Sequence, residues 1–345
     1  MSSTVSSVTP AGESAPSRAL SAAQRLFVRL GVLPFMLIGA ILVFAVTSDQ
    51  FLTVQNLTNL LRQSVYLILV SLGQMLVLVT GGFDLSVGTA VAITSVVSAL
   101  TMSGIVHAWP ELAWLAMLAG CLAGMLAGLA LGLVNGAGVA FLGVSPFIMT
   151  LGMQSIGFGL ALYLTGGVPV SGLPDEFSNL FGFGSLLGMP VPVLVTAVIA
   201  MVMYLLMSRT VTGNYLLAVG GNPKAAALSG VNNRRVLLTA YLLCALLASI
   251  SGLLLTARVE TGEANLGGTI ALESIAACVI AGVSLRGGMG RVDSVILGAI
   301  FIGLVQNGMN LTSVGSYLQM VVLGGLLIVA VIADQVRHRL LVPGS

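Results

Sequence analysis

The sequence predicts an all-α polytopic membrane protein, and three observations lead to this fold class. Hydrophobic residues make up 57% of the 345 residues and charged residues only 7%, against about 25% charged residues in a typical soluble domain. Apolar runs recur along the chain at lengths near the roughly 20 residues that a helix needs to cross a bilayer. The basic residues are concentrated in alternate loops between these runs. A soluble globular fold is excluded, because so few charges cannot cover its surface.

Ten membrane spans can be drawn on the apolar runs, and eight or nine remain alternatives because Gly, Ser and Pro interrupt the pattern around 135–150. The chain is divided into a Ser-, Ala- and Pro-rich tail at 1–28, a transmembrane domain at 29–338 and a short tail at 339–345. The first tail is predicted to be disordered. The ten spans lie near 31–47, 64–80, 86–104, 112–134, 146–164, 190–208, 236–257, 270–285, 293–311 and 316–333.

The distribution of basic residues supports ten spans and predicts that both termini are cytoplasmic. Cytoplasmic loops of membrane proteins carry an excess of Lys and Arg. With ten spans and a cytoplasmic N-terminus, only Arg62 and Arg258 of the 13 basic residues fall elsewhere. The basic residues assigned to the inner side are Arg18, Arg25, Arg29, Arg209, Lys224, Arg234, Arg235, Arg286, Arg291, Arg337 and Arg339.

Several other classes of function are disfavoured by the sequence. Cys121, Cys244 and Cys278 lie in apolar runs without a CxxC pair, and the two histidines lie in separate loops, so no disulfide framework or metal site is predicted. The scattered basic residues form no patch for nucleic acid. The only lysine, Lys224, follows GGNP and not the GxxxxG of a P-loop, so this chain cannot hydrolyse ATP by that route. We expect neither a catalytic residue nor a cofactor bound by this chain.

Two stretches show weak internal sequence similarity, GLVNGAGVAFLGVSPFI at 132–148 and GLVQNGMNLTSVGSYLQ at 303–319. Two repeats of five spans each would have inverted orientation, because an odd number of spans reverses direction. Chance similarity of two Gly-rich apolar stretches is the alternative. Asn135 and Asn307 lie in these segments, where they could hydrogen-bond a polyol or join neighbouring helices.

The hydrophilic loop at 209–235 is the most informative segment of the inner side. Asn222 is a good helix N-cap, Pro223 suits the first helical position and the KAAAL segment favours a helix. Gly230 is a suitable terminator. The pattern predicts a helix of about two turns, which is marginal alone and is expected to pack against something. It either forms a docking surface for a cytoplasmic partner or only connects two spans.

Four stretches together resemble the permease subunits of ribose-type ABC importers. They occur in the family's order, and the similarity covers the chain from about residue 35 to 333. One departure is TIALES at 269–274, where the family commonly has two acidic residues around a leucine and this chain keeps only Glu273. The four stretches are GGFDLSVG at 81–88, VSPFIMTLGM at 144–153, GGNPKAAALSGV at 220–231 and IAACVIAGVSLRGGMGRV at 275–292.

The resemblance implies a function and a set of partners. The chain is expected to be the bacterial inner-membrane subunit that forms the path for a pentose, a hexose or a related polyol. A separate cytoplasmic subunit would bind ATP and Mg and contact the coupling loop at 209–235. A second copy of the permease would complete a homodimer, and a periplasmic or lipid-anchored sugar-binding protein would dock on the loop at 165–189. The residues expected to contact the ATP-binding subunit are Gly220, Gly221, Asn222, Pro223, Lys224, Ala226, Leu228 and Gly230.

A secondary transporter or channel for a small polar solute is the alternative function, and it would normally need ionisable residues within the membrane. Asp84 and Glu273 are the acidic candidates near the spans. A charge at the bilayer centre costs roughly 2.5–3.5 kcal/mol on insertion scales, so Asp84 either caps a helix at the inner interface or belongs to the pathway or its gate. Glu273 either caps span eight near its outer end or forms part of the outer mouth.

Pro146 and Phe147 complete the set of pathway or gate candidates. Pro146 falls at the start of span five, where its missing N–H costs little. Phe147 faces either the central pathway or lipid and a neighbouring helix.

Overall fold

The computed structural model describes the backbone of residues 33–341 and the side chains of residues 33–329, 331 and 332. The predicted N-terminal tail at 1–28 and residues 342–345 lie outside the described residues. The last described helix continues to Leu341, three residues past the predicted edge of the transmembrane domain.

Helices make up most of the described chain. The loops contain four short elements. These are a 3-10 turn at Pro110–Leu112, a helical turn at Asp175–Phe177, a π-helical turn at Ser178–Gly182 and a two-stranded antiparallel ribbon of β1 (Ser185–Leu186) and β2 (Met189–Pro190). The α-helices are α1 (Leu33–Thr47), α2 (Val54–Val79), α3 (Val87–Ala108), α4 (Ala113–Ala140), α5 (Pro146–Thr165), α6 (Val191–Arg209), α7 (Val211–Gly221), α8 (Pro223–Leu228), α9 (Asn233–Val259), α10 (Ile270–Ile280), α11 (Val292–Leu311) and α12 (Ser316–Leu341).

Seven of the described helices are long and apolar enough to cross a membrane, namely α2, α3, α4 with the turn before it, α5, α6, α9 and α11. Three shorter apolar helices, α1, α10 and the first half of α12, occupy the other three predicted spans. An all-α polytopic membrane protein is therefore confirmed. The count of ten crossings and the cytoplasmic termini remain predictions.

Helices α2 and α9 form the centre of the bundle. α3, α4 and α5 pack on one side of them, while α10 and α11 pack on the other side, together with α1 and α12. Small residues allow this close packing without a hydrophobic driving force between helices. Gly124 of α4 faces the backbone of α3 at Thr94, and Gly132 faces the backbone of α9 at Tyr241.

The bundle has two ends with different charges. One end carries the segments 209–235 and 281–291, which contain six basic residues; we call it the basic end. The other end carries the loops 109–112, 166–190 and 260–263, which contain five acidic residues; we call it the acidic end. The difference follows the sequence pattern that predicted alternate basic loops.

The second predicted span was placed too late in the sequence. It was drawn at 64–80, but α2 begins at Val54, where Thr53 caps the helix by accepting a hydrogen bond from the Asn56 N–H. The first ten residues of α2 are too polar to register as an apolar run, yet contain no Gly or Pro that would stop a helix. Arg62 therefore lies within a helix and not in a loop.

The predicted span at 270–285 is a shorter helix preceded by irregular backbone. α10 has 11 residues, so its length is about 16 Å, against about 30 Å for the hydrocarbon core. The chain enters from the acidic end, where Val170 and Gly262 exchange two backbone hydrogen bonds of 2.8 and 2.9 Å. It then reaches the first turn of α3, where Gly267 lies against Gly88. The prediction of a helix over all of 270–285 is therefore wrong, because the helix ends at Ile280.

Irregular backbone inside a membrane protein is tolerated where it is buried in protein or lines a cavity. The contact between Gly88 and Gly267 meets this condition, because a Cβ on either residue would collide with the backbone of the other. The discontinuity in the chain before α10 therefore depends on the lack of side chains at these two positions.

We expect Gly88→Ala to destabilise the fold, because its Cβ would overlap the Gly267 carbonyl and overpacking costs about 1–3 kcal/mol. Gly104→Ala is the matched control, since Gly104 lies in the same helix with open space around its Cβ position. The thermal unfolding midpoint of the purified protein in detergent measures both. Equal midpoints for the two variants would contradict the close approach.

Candidate functional site

The predicted short helix of the 209–235 loop is present as α8 and has the predicted capping. The Asn222 side chain accepts a hydrogen bond of 3.0 Å from the Ala225 N–H, and Pro223 occupies the first helical position. Gly230 follows the helix with a φ of +84°, a conformation that favours glycine. The Asn233 side chain donates to the Pro223 carbonyl at 2.8 Å, which ties α8 to the start of α9.

A second helix, α7, fixes α8 to the bundle, and the sequence did not predict it. Thr210 caps α7 through a bond from the Gly213 N–H. At its other end, Gly220 lies against the Val79 carbonyl and the Gly288 N–H, where a Cβ would collide. The Gly288 N–H donates to that same carbonyl at 2.8 Å. The segment 220–231 therefore contacts the end of α2 and the segment 281–291 backbone to backbone.

The outward surface of α8 is open. Ala226 is buried against the bundle, while Lys224 is exposed and the side chain of Leu228 is 91% exposed. A two-turn helix with a buried inner side and a large exposed leucine is suited to dock a partner, because its position is already fixed and its apolar surface is uncovered.

Asp84 lies in the irregular segment before α3 and is 2% exposed. Its carboxylate accepts hydrogen bonds from the Ser86 N–H at 2.9 Å and the Ser86 hydroxyl at 2.6 Å. The Asn135 side chain of α4 donates to the same hydroxyl at 2.7 Å. Asp84 thus forms a local turn of the Asx type and connects, through Ser86, to a neighbouring helix.

Two further helices hold the same segment. The Tyr241 hydroxyl of α9 donates to the Phe83 carbonyl at 3.2 Å. Thr150 of α5 accepts from the Leu85 N–H at 3.2 Å and donates to the Pro146 carbonyl at 2.9 Å. The bonds to the Phe83 carbonyl and from the Leu85 N–H satisfy backbone groups that irregular structure leaves open.

The four stretches that carry the family resemblance therefore meet around residues 81–88. The stretch 144–153 reaches it through Thr150, and the stretch 275–292 reaches it because Gly287 lies against Gly81. The stretch 220–231 joins through Gly220 and Gly288.

The other pathway candidates are more dispersed. Asn307 exchanges two side-chain hydrogen bonds of 2.9 Å with Asn56 of α2, so its amide joins two helices. Pro146 is the first residue of α5 as predicted, and the neighbouring Phe147 is 53% exposed on the surface of the single chain.

Glu273 lies in the first turn of α10 and accepts a hydrogen bond of 2.8 Å from the Thr269 hydroxyl. It lines a cavity of about 530 Å³ that extends from the acidic end of the bundle. We call this the outer cavity. Its polar wall residues include Arg62, Tyr66, Arg258, Thr269, Glu273 and Gln306.

Sequence reasoning missed most of this wall. Arg62, Tyr66 and Arg258 were not proposed as site residues, although Arg62 and Arg258 were the two basic residues that did not fit the inner-side pattern. Both line the same cavity. The position of Arg62 and Arg258 outside the inner-side pattern is therefore the sequence signal that could have identified the cavity.

Comparison with known proteins identifies the family. Residues 56–331 match the model of a family described as the branched-chain amino acid transport system permease component. The chain belongs to this permease family. The permease is accordingly an inner-membrane transport protein.

Several curated relatives of the permease cover most of its length. It is 34% identical over 305 residues to the ribose import permease of Escherichia coli strain K12 and 37% identical over 305 residues to that of Bacillus subtilis strain 168. Each alignment covers 88% of this chain and 92% of the relative. The galactose/methyl galactoside import permease of Haemophilus influenzae is 33% identical over 314 residues, covering 88% of this chain and 93% of the relative. No solved structure matches the chain.

We expect Asp84→Asn to impair transport more than membrane insertion, because the amide oxygen can still accept the Ser86 N–H while the charge is lost. Asp84→Ala should lower both, since the Ser86 donors would lose an acceptor at a cost of about 1–3 kcal/mol. Immunoblots of membrane fractions measure insertion, and uptake by cells that lack their own copy measures transport. Equal loss of insertion and transport in Asp84→Asn would indicate a purely structural turn.

Proposed function

We propose that this chain is the membrane-spanning permease subunit of an ABC importer for a simple sugar, a pentose, a hexose or a related polyol. A partner subunit supplies the energy by hydrolysing ATP with bound Mg. A second copy of the permease completes the transport path, and a periplasmic or lipid-anchored binding protein delivers the sugar. The relatives described as ribose and galactose permeases support this cargo, because they align over most of both chains.

The arrangement of α7 and α8 is the observation that carries the proposal. α8 presents Leu228 outward while α7 rests on the end of α2 through Gly220. A force on α8 would therefore reach α2 and the segment 281–291 without a flexible linker in between. This is the mechanical role that coupling to an external ATPase requires.

The charges of the two ends of the bundle support one orientation in the membrane. The basic end carries Arg209, Lys224, Arg234, Arg235, Arg286 and Arg291, and basic loops are enriched on the cytoplasmic side. The basic end thus faces the cytoplasm, where ATP is available, and the outer cavity opens towards the binding protein. The loop 166–190 lies beside that opening, since the Arg258 guanidinium stacks 4.9 Å from the centre of the Phe183 ring.

An amino acid is the competing cargo, because the family description names branched-chain amino acids. Uptake assays with radiolabelled ribose, galactose and leucine in cells lacking their own systems distinguish the two. Sugar uptake that is blocked by vanadate and resists an uncoupler supports the proposal. Uptake of leucine but not of sugar would show that the cargo is an amino acid. Transport that is blocked by the uncoupler and not by vanadate would indicate a secondary transporter.

We expect Leu228→Asp to abolish co-purification of the ATP-binding subunit without reducing the amount of permease in the membrane. A buried charge at the centre of an interface lacks compensation and costs several kcal/mol. Leu187→Asp is the matched control, because Leu187 is 96% exposed at the acidic end. Affinity purification of the tagged permease measures both variants.

Unchanged co-purification with Leu228→Asp would contradict the docking role of α8. Equal loss in the Leu187→Asp control would show that an exposed aspartate disturbs assembly wherever it is placed.

A further inference from the structure

The outer cavity combines features that the importer's coupling machinery does not use. It lies between α2, α9, α10 and α11, and the irregular segment before α10 forms part of its wall through Leu266 and Thr269. Broken helices in transporters commonly surround the substrate site, because their free backbone groups and helix ends face the cavity. α10 begins at this wall, and Glu273 lies in its first turn.

Three charged side chains line the cavity without forming ion pairs. Among the described residues, Arg291 and Asp293 form the single ion pair, and they lie at the basic end. Arg62, Arg258 and Glu273 are therefore not paired with one another although they share one wall. Charges inside a membrane protein are costly and commonly mark a substrate pathway.

Two wall residues also have buried polar atoms without a hydrogen-bond partner among the described residues. These are the Tyr66 hydroxyl, on a side chain that is 7% exposed, and the Arg62 Nε. Most buried polar atoms in proteins have a partner. The wall thus offers more hydrogen-bonding capacity than the protein itself uses.

The chemistry of this wall selects a class of ligand. A guanidinium presents N–H donors in a planar fork, which suits two adjacent hydroxyl oxygens. A carboxylate only accepts, so it suits hydroxyl hydrogens. A neutral polyol can use both guanidinium groups and the carboxylate at once, because each hydroxyl donates and accepts.

We propose that the outer cavity binds the imported sugar as a neutral polyol with adjacent hydroxyls, held by Arg62, Arg258 and Glu273 after the binding protein releases it. The inference rests on the proposed function and adds the location and chemistry of the transport intermediate. Among the described residues, Tyr66 is the one aromatic residue in the lining, so the described wall has no pair of stacking surfaces. Weak binding follows, and a transport path needs a site that the solute can leave.

The first test measures protection from alkylation. Thr269→Cys places a thiol in the cavity wall, and site-specific mass spectrometry follows its reaction with N-ethylmaleimide in the purified, full-length permease. We expect millimolar ribose to slow this reaction, and equimolar leucine to leave it unchanged. Thr312→Cys, in the loop between α11 and α12, is the control that ribose should not protect. Protection by leucine, or none by ribose, overturns the neutral-polyol site.

The second test separates sugar passage from energy use. In liposomes containing the complete importer, Glu273→Gln and Arg62→Gln should lower the sugar moved per ATP hydrolysed by about tenfold, the effect of losing one hydrogen bond to a charged group. ATP hydrolysis stimulated by the loaded binding protein should persist. Glu111→Gln, at an exposed position of the acidic end, is the control.

The outcomes distinguish this inference from the proposed function. If the unmodified importer moves no sugar, the proposed function is wrong. If it moves sugar but the Glu273 and Arg62 variants keep the same sugar-to-ATP ratio, only the cavity assignment is wrong. A parallel fall in transport and ATP hydrolysis would also overturn it, because it would indicate a structural role for these residues.

Discussion

Inside a bilayer, every backbone N–H and C=O group needs a partner within the protein, and the described chain departs from regular helix in several segments, two of which lie before α3 and before α10. The segment before α3 obtains its partners from side chains of other helices, chiefly Tyr241 and Thr150. The segment before α10 is held by a backbone bridge at Gly262 and by the close approach of Gly267 to Gly88. The placement of α3 and α10 depends on these contacts, because both helices begin where the irregular segments end.

α10 connects the wall of the outer cavity to the segment 281–291 at the basic end. Its first turn carries Glu273 in the wall of the outer cavity. Its last residue precedes the segment 281–291, which lies against Gly220 of α7. An 11-residue helix transmits a displacement along its axis with little loss. On the proposed function, movement of α8 by the ATP-binding subunit would change the outer cavity through α10.

The sequence predicted the features that local chemistry determines. Composition and apolar runs placed helices at all ten expected positions. Asn222, Pro223 and Gly230 predicted α8 because capping depends on neighbouring residues. The start of α2 was missed because the hydropathy of its first ten residues is lower than that of a membrane span. The helix nevertheless forms there, since these residues include no Gly or Pro.

The features that sequence reasoning missed depend on contacts between distant segments. The segment before α10 is a polar, Gly-rich stretch between two predicted spans, and its contact with Gly88 involves a residue about 180 positions earlier. The cavity wall combines Arg62, Arg258 and Glu273 from three helices. Asn307 is satisfied by Asn56, which no local pattern indicates.

The most direct test of this arrangement is the accessibility of single cysteines along the discontinuous segment, in a chain whose native cysteines are replaced. A small membrane-impermeant thiol reagent is added to intact cells. We expect it to label a cysteine at Leu266 in the cavity wall, to leave one at Ala277 unlabelled, and to label one at Arg286 only after the membrane is permeabilised. Protection of Leu266 together with Ala277 would indicate a continuous buried span and would contradict the open outer cavity.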